Sequence, residues 1–307
     1  MGELVFLGTG SAWRAPEHNC DCVICSTMRS RGEERTRSSI LVESSVRILI
    51  DCGPDLLTQM KTNSVKRPDV VLITHEHGDH FLGLDELLAF KRSVPGHLWR
   101  PIPVYASEET WKAIQTRFFY LVGSVIDKKI AVPGEQIELS GAFITPFKTN
   151  HGRSAPGSLG YVLESLNSGA STKIVYTSDF FDLPEEPDFI RNPDILLLQC
   201  HWLNEPDENK PFHMSLARGI DFIRRWNPIG TVYLLHLSAS DVVDGDPCND
   251  RPKKPACSRR LTGPSNGEPY RTPCCQSDWE SVVRKITTDF GIGCKMEVAY
   301  DGLRVRF

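Results

Sequence analysis

The chain has 307 residues, of which 40% are hydrophobic and 24% charged, and its formal net charge is −4. That make-up fits a soluble globular protein and excludes a disordered or fibrous chain. A pI near 6.2 argues against a strongly basic nucleic-acid binder, and no apolar run is long enough to span a membrane.

The chain opens with Met1-Gly2-Glu3-Leu4-Val5-Phe6-Leu7-Gly8. It has no basic segment ahead of its apolar stretch, so a secretory signal is not expected and a cytoplasmic setting is. Residues 4–9 read as a strand. Next comes Cys20-Asp21-Cys22-Val23-Ile24-Cys25, three of the ten cysteines. In a reducing setting, thiols this close together suggest a metal before a disulfide. They suit a structural zinc, whose tetrahedral closure needs a fourth ligand. Strands are predicted over 39–43 and 47–51, a helix over 54–63, and a strand over 70–74. A helix over 83–92, a strand over 102–106 and a helix over 107–120 follow, the last with Ser107 at its start. Further strands are predicted over 143–148, 160–164, 173–178 and 195–199. A helix over 215–226 leads to a strand over 232–236. A last helix over 278–290, capped by Asp278, and a strand over 295–300 complete the pattern. Strands alternating with helices indicate a layered α/β protein, read as one domain over 1–307. Residues 240–277 stand apart as an irregular insertion with six prolines and four cysteines. Such a stretch is a solvated loop, a substrate lid or a loop organised by a metal.

The segment Thr74-His75-Glu76-His77-Gly78-Asp79-His80 carries the strongest chemical signal. It follows a strand, so three imidazoles and a carboxylate crowd one strand end, and both are good ligands for zinc and similar divalent ions. His151, Asp179 and His236 each end another apolar run. His201, after Cys200, is either near the same pocket or simply buried.

The motif His75-Glu76-His77-Gly78-Asp79-His80, followed in order by His151, Asp179 and His236, resembles the metallo-β-lactamase superfamily. The resemblance extends from Gly8-Thr9-Gly10-Ser11 to Asp301-Gly302. It implies an αββα four-layer sandwich and a dinuclear centre of two divalent ions, manganese or zinc, with iron as a further option. His75, His77 and His151 would hold one ion, Asp79, His80 and His236 the other, and Asp179 would bridge them. Two such ions lower the pKa of a bridging water and stabilise charge on attacking and leaving oxygens. Cys20-x-Cys22-x-x-Cys25 and Phe212-His213-Met214-Ser215 narrow the resemblance to the phosphodiesterase branch that contains the phosphoribosyl cyclic phosphate phosphodiesterases. His213, at a helix start, also resembles the catalytic histidine of the tRNA 3′-processing endonucleases. Asp79 and His213 are therefore the expected catalytic residues, with Cys20, Cys22 and Cys25 holding one structural zinc. In that branch a histidine three residues after the His236 equivalent completes the zinc site. Here it is Ala239, so Cys248, Cys257, Cys274, Cys275 or Asp241 of the insertion is expected to take its place.

The implied activity is hydrolysis of a small cyclic or nucleotide-like phosphodiester by a metal-bridging hydroxide. Three rivals share some of these features. A lactonase or thioesterase would use the same metals. An iron enzyme like the pyrroloquinoline-quinone biosynthesis protein B family would share the early cysteines. A non-catalytic scaffold would bind a partner through the insertion. A small-molecule substrate is expected rather than a nucleic acid or a membrane, and relatives often form homodimers.

Overall fold

The computed structural model describes residues 2–164 and 171–307. Among these residues, fourteen strands form two seven-stranded sheets. The first sheet runs β14 (Arg304–Arg306), β1 (Glu3–Gly8), β2 (Ser39–Glu43), β3 (Arg47–Ile50), β4 (Val70–Leu72), β5 (Ile102–Ala106), β6 (Ile126–Ile130). The second runs β13 (Lys295–Val298), β12 (Thr231–Leu235), β11 (Ile195–Gln199), β10 (Ile174–Tyr176), β9 (Leu159–Glu164), β8 (Ala142–Lys148), β7 (Ile137–Leu139).

The side-chain alternation of a strand explains the layers. Leu4, Phe6, Ile40, Val42, Val70 and Leu72 of the first sheet meet Tyr161, Leu163, Ile195, Leu197, Tyr233 and Leu235 of the second in one core. The intervening residues Val5, Leu7, Leu41 and Val71 face outward onto Leu56 and Met60 of α2 (Leu56–Thr62) and Trp111 and Ile114 of α5 (Glu108–Phe118). On the far side, Leu196, Leu198, Val232 and Leu234 pack on Ile220, Ile223 and Trp226 of α6 (Leu216–Trp226) and on Val283 and Ile286 of α7 (Gln276–Asp289). Strands buried on both faces read as unbroken apolar runs, which is why their sequences showed no polar alternation. The result is the expected αββα sandwich.

The three strands that sequence patterning missed, β6, β7 and β14, all lie at sheet edges. Edge strands are half exposed and tolerate charge: β6 reads Ile-Asp-Lys-Lys-Ile and β14 Arg-Val-Arg. Three helical details also differ from expectation. Val23–Arg31 forms a helix, α1, across the cysteine segment. The stretch predicted as a helix over 83–92 is a 3₁₀ turn, Leu82–Leu87, leading into the short α4 (Leu88–Arg92). Asp278 does not cap the last helix: Cys275 holds that position, and Asp278 reaches back from the first turn to accept the Cys274 N–H at 3.1 Å. Ser107 does cap α5, accepting the Thr110 N–H.

The insertion is irregular but anchored. Lys254 is buried at its centre, with Nζ 2.9 Å from Asp246 Oδ2 and 2.8 Å from the Asp241 carbonyl. Asp246 Oδ2 also accepts the N–H of Val23, the first residue of α1. One carboxylate thereby ties the insertion to the start of the cysteine helix. Burial alone would raise the Asp246 pKa, but the Lys254 ammonium and the backbone N–H groups of Cys248 and Val23 outweigh it and lower the pKa to about 2. A depressed carboxylate stabilises the fold above its unfolded pKa, and that contribution is lost as pH falls through the folded one. Lys254→Met leaves Asp246 buried and unpaired, at an expected cost of about 3–5 kcal/mol. At neutral pH it should lower the melting temperature and open 240–277 to proteolysis. The deficit should narrow between pH 4 and pH 2, as Asp246 is protonated. A melting temperature equal to that of the unmodified chain at pH 7 would remove this anchor.

Candidate metal centre

In each sheet four consecutive strands out to one edge run parallel, β3 to β6 in one and β10 to β13 in the other. Parallel strands end at one edge, and the expected ligands follow those ends. His75, His77, Asp79 and His80 lie just beyond β4, with Gly78–Phe81 forming a single helical turn, α3. His151 follows β8, Asp179 follows β10, His201 follows β11 and His236 follows β12. The backbone takes left-handed φ values at Ser178 (56°), Phe212 (55°) and His236 (63°). Such values strain non-glycine residues and cluster at functional sites. Here they turn Asp179, His213 and His236 away from their strand or loop directions.

The side chains gather into two adjoining groups, His75–His77–His151 and Asp79–His80–Asp179–His236. Asp179 lies between them. Its Oδ2 is 3.0 Å from His236 Nε2, 3.5 Å from His80 Nε2 and 3.8 Å from His151 Nε2. Asp79 Oδ2 is 3.1 Å from His80 Nε2.

Three of these histidines have Nδ1 against an oxygen. His80 Nδ1 lies 2.7 Å from Asp51 Oδ2, His151 Nδ1 lies 2.9 Å from the Phe212 carbonyl, and His75 Nδ1 lies 3.0 Å from Thr74 Oγ1. The Thr74 hydroxyl itself donates to Asp51 Oδ2 at 2.8 Å, so its oxygen is free to accept from His75. With the ring proton used at Nδ1, the neutral rings of His75 and His151 each present an Nε2 lone pair to the centre. His151 Nε2 and His77 Nδ1 lie only 3.1 Å apart. The buried atoms His75 Nε2, His80 Nε2, His236 Nε2 and Asp179 Oδ1 have no hydrogen-bond partner. Buried polar atoms left unpartnered are costly, and a cluster of converging lone pairs fits divalent cations. The oriented outer hydrogen bonds are those that tune histidine ligands.

Electrostatics favour neutral donors at His75 and His151, whereas at His80 the surrounding carboxylates favour a second ring proton that a bound cation would displace. Burial holds His75 and His151 below the usual histidine range, so both rings are neutral. Burial also works against charge on His80, but Asp79, Asp51 and Asp179 outweigh it and raise its pKa well above the usual value. Asp179 is pushed up by burial and down more strongly by His236 and His80, so it stays ionised.

His213 is brought to the centre, with Nδ1 3.5 Å from Asp179 Oδ2. Sequence patterning left His201 undecided. It stacks on His213 with ring centroids 4.2 Å apart and planes 2° from parallel. Two further residues emerged only from the structure. One is Asp51, which is fully buried, has φ 60° and also accepts the Thr74 N–H at 2.8 Å. The other is Gln199, the last residue of β11. Its Oε1 accepts the N–H groups of Phe180 (2.9 Å) and Met214 (3.1 Å), which fixes the amide orientation. Its Nε2 therefore donates to His213 Nδ1 at 2.7 Å, leaving the ring proton of His213 on Nε2. Burial, followed by the neighbouring His201, holds His213 below the usual histidine range. Gly53 lets the loop carrying Asp79 approach closely, since a Cβ there would stand 2.0 Å from the Asp79 carbonyl oxygen.

Cys20, Cys22 and Cys25 also come together and are buried. None of the expected fourth ligands comes within ligand range of all three, although Cys248 and Cys274 pack in the same buried cluster. Cys248 is directed to Asp21 at 3.6 Å, Cys257 to the carbonyls of Glu205 and Arg259, Cys274 to that of Thr272, and Cys275 lies beside Ser277. Asp241 accepts the Leu203 N–H at 3.1 Å. The insertion instead delivers two cations: Arg251 Nη1 lies 3.6 Å from Cys20 Sγ, and Lys253 Nζ lies 3.8 Å from Cys25 Sγ. Hydrogen bonding from Cys25 overcomes burial and holds the Cys22 thiol well below the usual cysteine range.

A cleft of about 610 Å³ borders the centre. Its lining includes His201, Trp202, His213, Ser238 and Lys253. No helix among the described residues is long and apolar enough to cross a membrane.

The family model described as "Beta-lactamase superfamily domain" matches residues 46–237, a span that includes every candidate ligand of the dinuclear centre. An octanoyltransferase of Porphyromonas gingivalis is 30% identical over 244 residues, 76% of this chain, although the chain spans only 45% of that protein's length. Ribonuclease Z of Thermococcus kodakarensis is 25% identical over 73% of this chain and 81% of its own. The crystal structure of a diphosphatase of the PhnP family superposes with a TM-score of 0.70 at 24% identity, covering 100% of this chain and 98% of that one. With the ligand constellation assembled at the strand ends and the family model spanning it, the chain belongs to the beta-lactamase superfamily and is a metal-dependent hydrolase.

Proposed function

We propose that the protein hydrolyses a small phosphodiester, cyclic or nucleotide-like, at the centre formed by His75, His77, Asp79, His80, His151, Asp179 and His236. The observation that carries this reading is His213. Its Nδ1 is held by Gln199 at 2.7 Å, and its ring lines the cleft beside Asp179. An N–H donor fixed beside a group of cation ligands suits a substrate that develops negative charge on non-bridging oxygens. Ribonuclease Z and the PhnP-family diphosphatase, among the similar proteins, both act on phosphate esters or anhydrides by their names, which supports phosphorus over carbon as the reacting atom. Two divalent cations, manganese, zinc or iron, would supply Lewis acidity and an activated water when bound.

The chain's own residues do the rest. Asp51 and Thr74 orient His80 and His75, and the Phe212 carbonyl orients His151. Asp179, held ionised, neutralises charge between the two groups. Gln199 keeps the His213 proton on Nε2, where it meets a phosphoryl or leaving-group oxygen. His201, stacked on His213, limits rotation of that ring. The three thiols Cys20, Cys22 and Cys25 form a separate site suited to one structural zinc, with the fourth corner of the tetrahedron left to a ligand outside the triad.

Two measurements check this reading. In metal-loaded His213→Ala enzyme, turnover of alkyl phosphodiesters should fall roughly 10²–10⁴-fold, and that of activated aryl diesters much less. Equal losses on both would remove His213 from leaving-group or phosphoryl contact, and a preference for lactones or thioesters over every diester would reassign the reaction. Elemental analysis should find three divalent ions per chain, falling to two in Cys22→Ser. Three ions retained in that variant would exclude the thiols as a metal site.

A further inference from the structure

The lining of the cleft beside His213 combines Ser11, Ala12, Trp13 and Glu17 from the segment after β1 with Pro252, Pro255 and Ala256 of the insertion. Trp13 is 69% exposed, the second most exposed large hydrophobic residue among those described, after Phe119. A large ring in solvent commonly sits on a loose loop, but this loop is pinned on both sides of Trp13. The Ser11 N–H donates to the Leu237 carbonyl at 3.2 Å, immediately after His236. The Ala12 carbonyl accepts from Arg37 Nε at 2.9 Å. Ala15 and Arg35 exchange two backbone hydrogen bonds of 3.0 and 2.7 Å. The indole is thus presented from a fixed backbone at the rim of a cleft that ends at the metal centre.

The charged groups of the same walls are already engaged. Glu17 pairs with Lys253 at 3.1 Å, Glu208 with Lys210 at 2.7 Å, and Asp207 accepts from Ser258 at 2.9 Å. Such walls offer little to a long polyanion. They suit a flat, uncharged group, because the lining also offers the indole of Trp13 and the rings of Pro252 and Pro255. Stacking on an aromatic face needs no hydrogen-bond code.

We propose that Trp13 is a stacking platform for the nucleobase of a nucleoside phosphate whose phosphorus lies at the metal centre. The proposal rests on the phosphodiester reading and names its substrate class: nucleoside monophosphodiesters rather than base-free sugar phosphates. Calorimetry of the metal-loaded protein with AMP and with ribose 5-phosphate tests it without catalysis. AMP should bind about ten-fold more tightly than ribose 5-phosphate, a margin that Trp13→Ala should abolish and Trp13→Phe should largely keep. In turnover, Trp13→Ala should raise KM about ten-fold more for adenosine 2′,3′-cyclic phosphate than for methyl riboside 2,3-cyclic phosphate, with the effect in KM rather than kcat. Equal binding of AMP and ribose 5-phosphate, or a margin that survives in Trp13→Ala, overturns the proposal. If the enzyme cleaves both cyclic phosphates with no margin in either assay, only the platform falls. If it cleaves neither, the phosphodiester reading falls, and the AMP margin still decides the platform.

Discussion

Converging lone pairs at the end of two sheets are the constraint around which the molecule is arranged. His75 and His151 each use their ring proton on an outer partner, so their inner nitrogens face the centre bare, and Asp51 holds His80 in place beside them. Neutral donors and carboxylates packed this closely repel one another unless a cation lies among them. Asp51 is the hub of that outer layer, because one buried carboxylate accepts from the Thr74 backbone and hydroxyl and from His80. The site's geometry is therefore set one layer away from the atoms that would touch a metal.

The sandwich serves this arrangement directly. Each central strand is apolar on both faces, so it is gripped from two sides and its end is fixed in space. Polar residues just past those ends inherit that precision. Residues forced to left-handed φ at Asp51, Ser178, Phe212 and His236 cost conformational energy, and they are held by the core beneath them rather than by local preference.

Much of this was legible from the chain alone, for a definable reason. His75, His77, Asp79 and His80 fall within six residues, and their crowding is a local signal. His151, Asp179 and His236 were readable because each ends an apolar run, which marks a strand end. Asp51 also ends such a run, but a lone Asp there reads as a turn residue, and its meaning lies in contact with residues 23 and 29 positions later. Gln199 also closes a strand, but a neutral amide there is no metal-ligand type, and its role depends on His213 arriving from a separate loop. Edge strands β6, β7 and β14 lacked the apolar pattern because half of each faces solvent. The insertion misled in one respect. Its four cysteines drew the eye as ligands, whereas its contribution at the thiol cluster is the pair of cations Arg251 and Lys253.

Lys253 touches three things at once: Glu17, the sulfur of Cys25 and the open cleft. With Lys254 buried beside it against Asp246, the segments 11–25 and 240–277 behave as one interlocked block. Relatives that differ here could not exchange either stretch singly. A chimera would have to transplant both together, and the thiol triad would travel with whatever specificity the cleft confers.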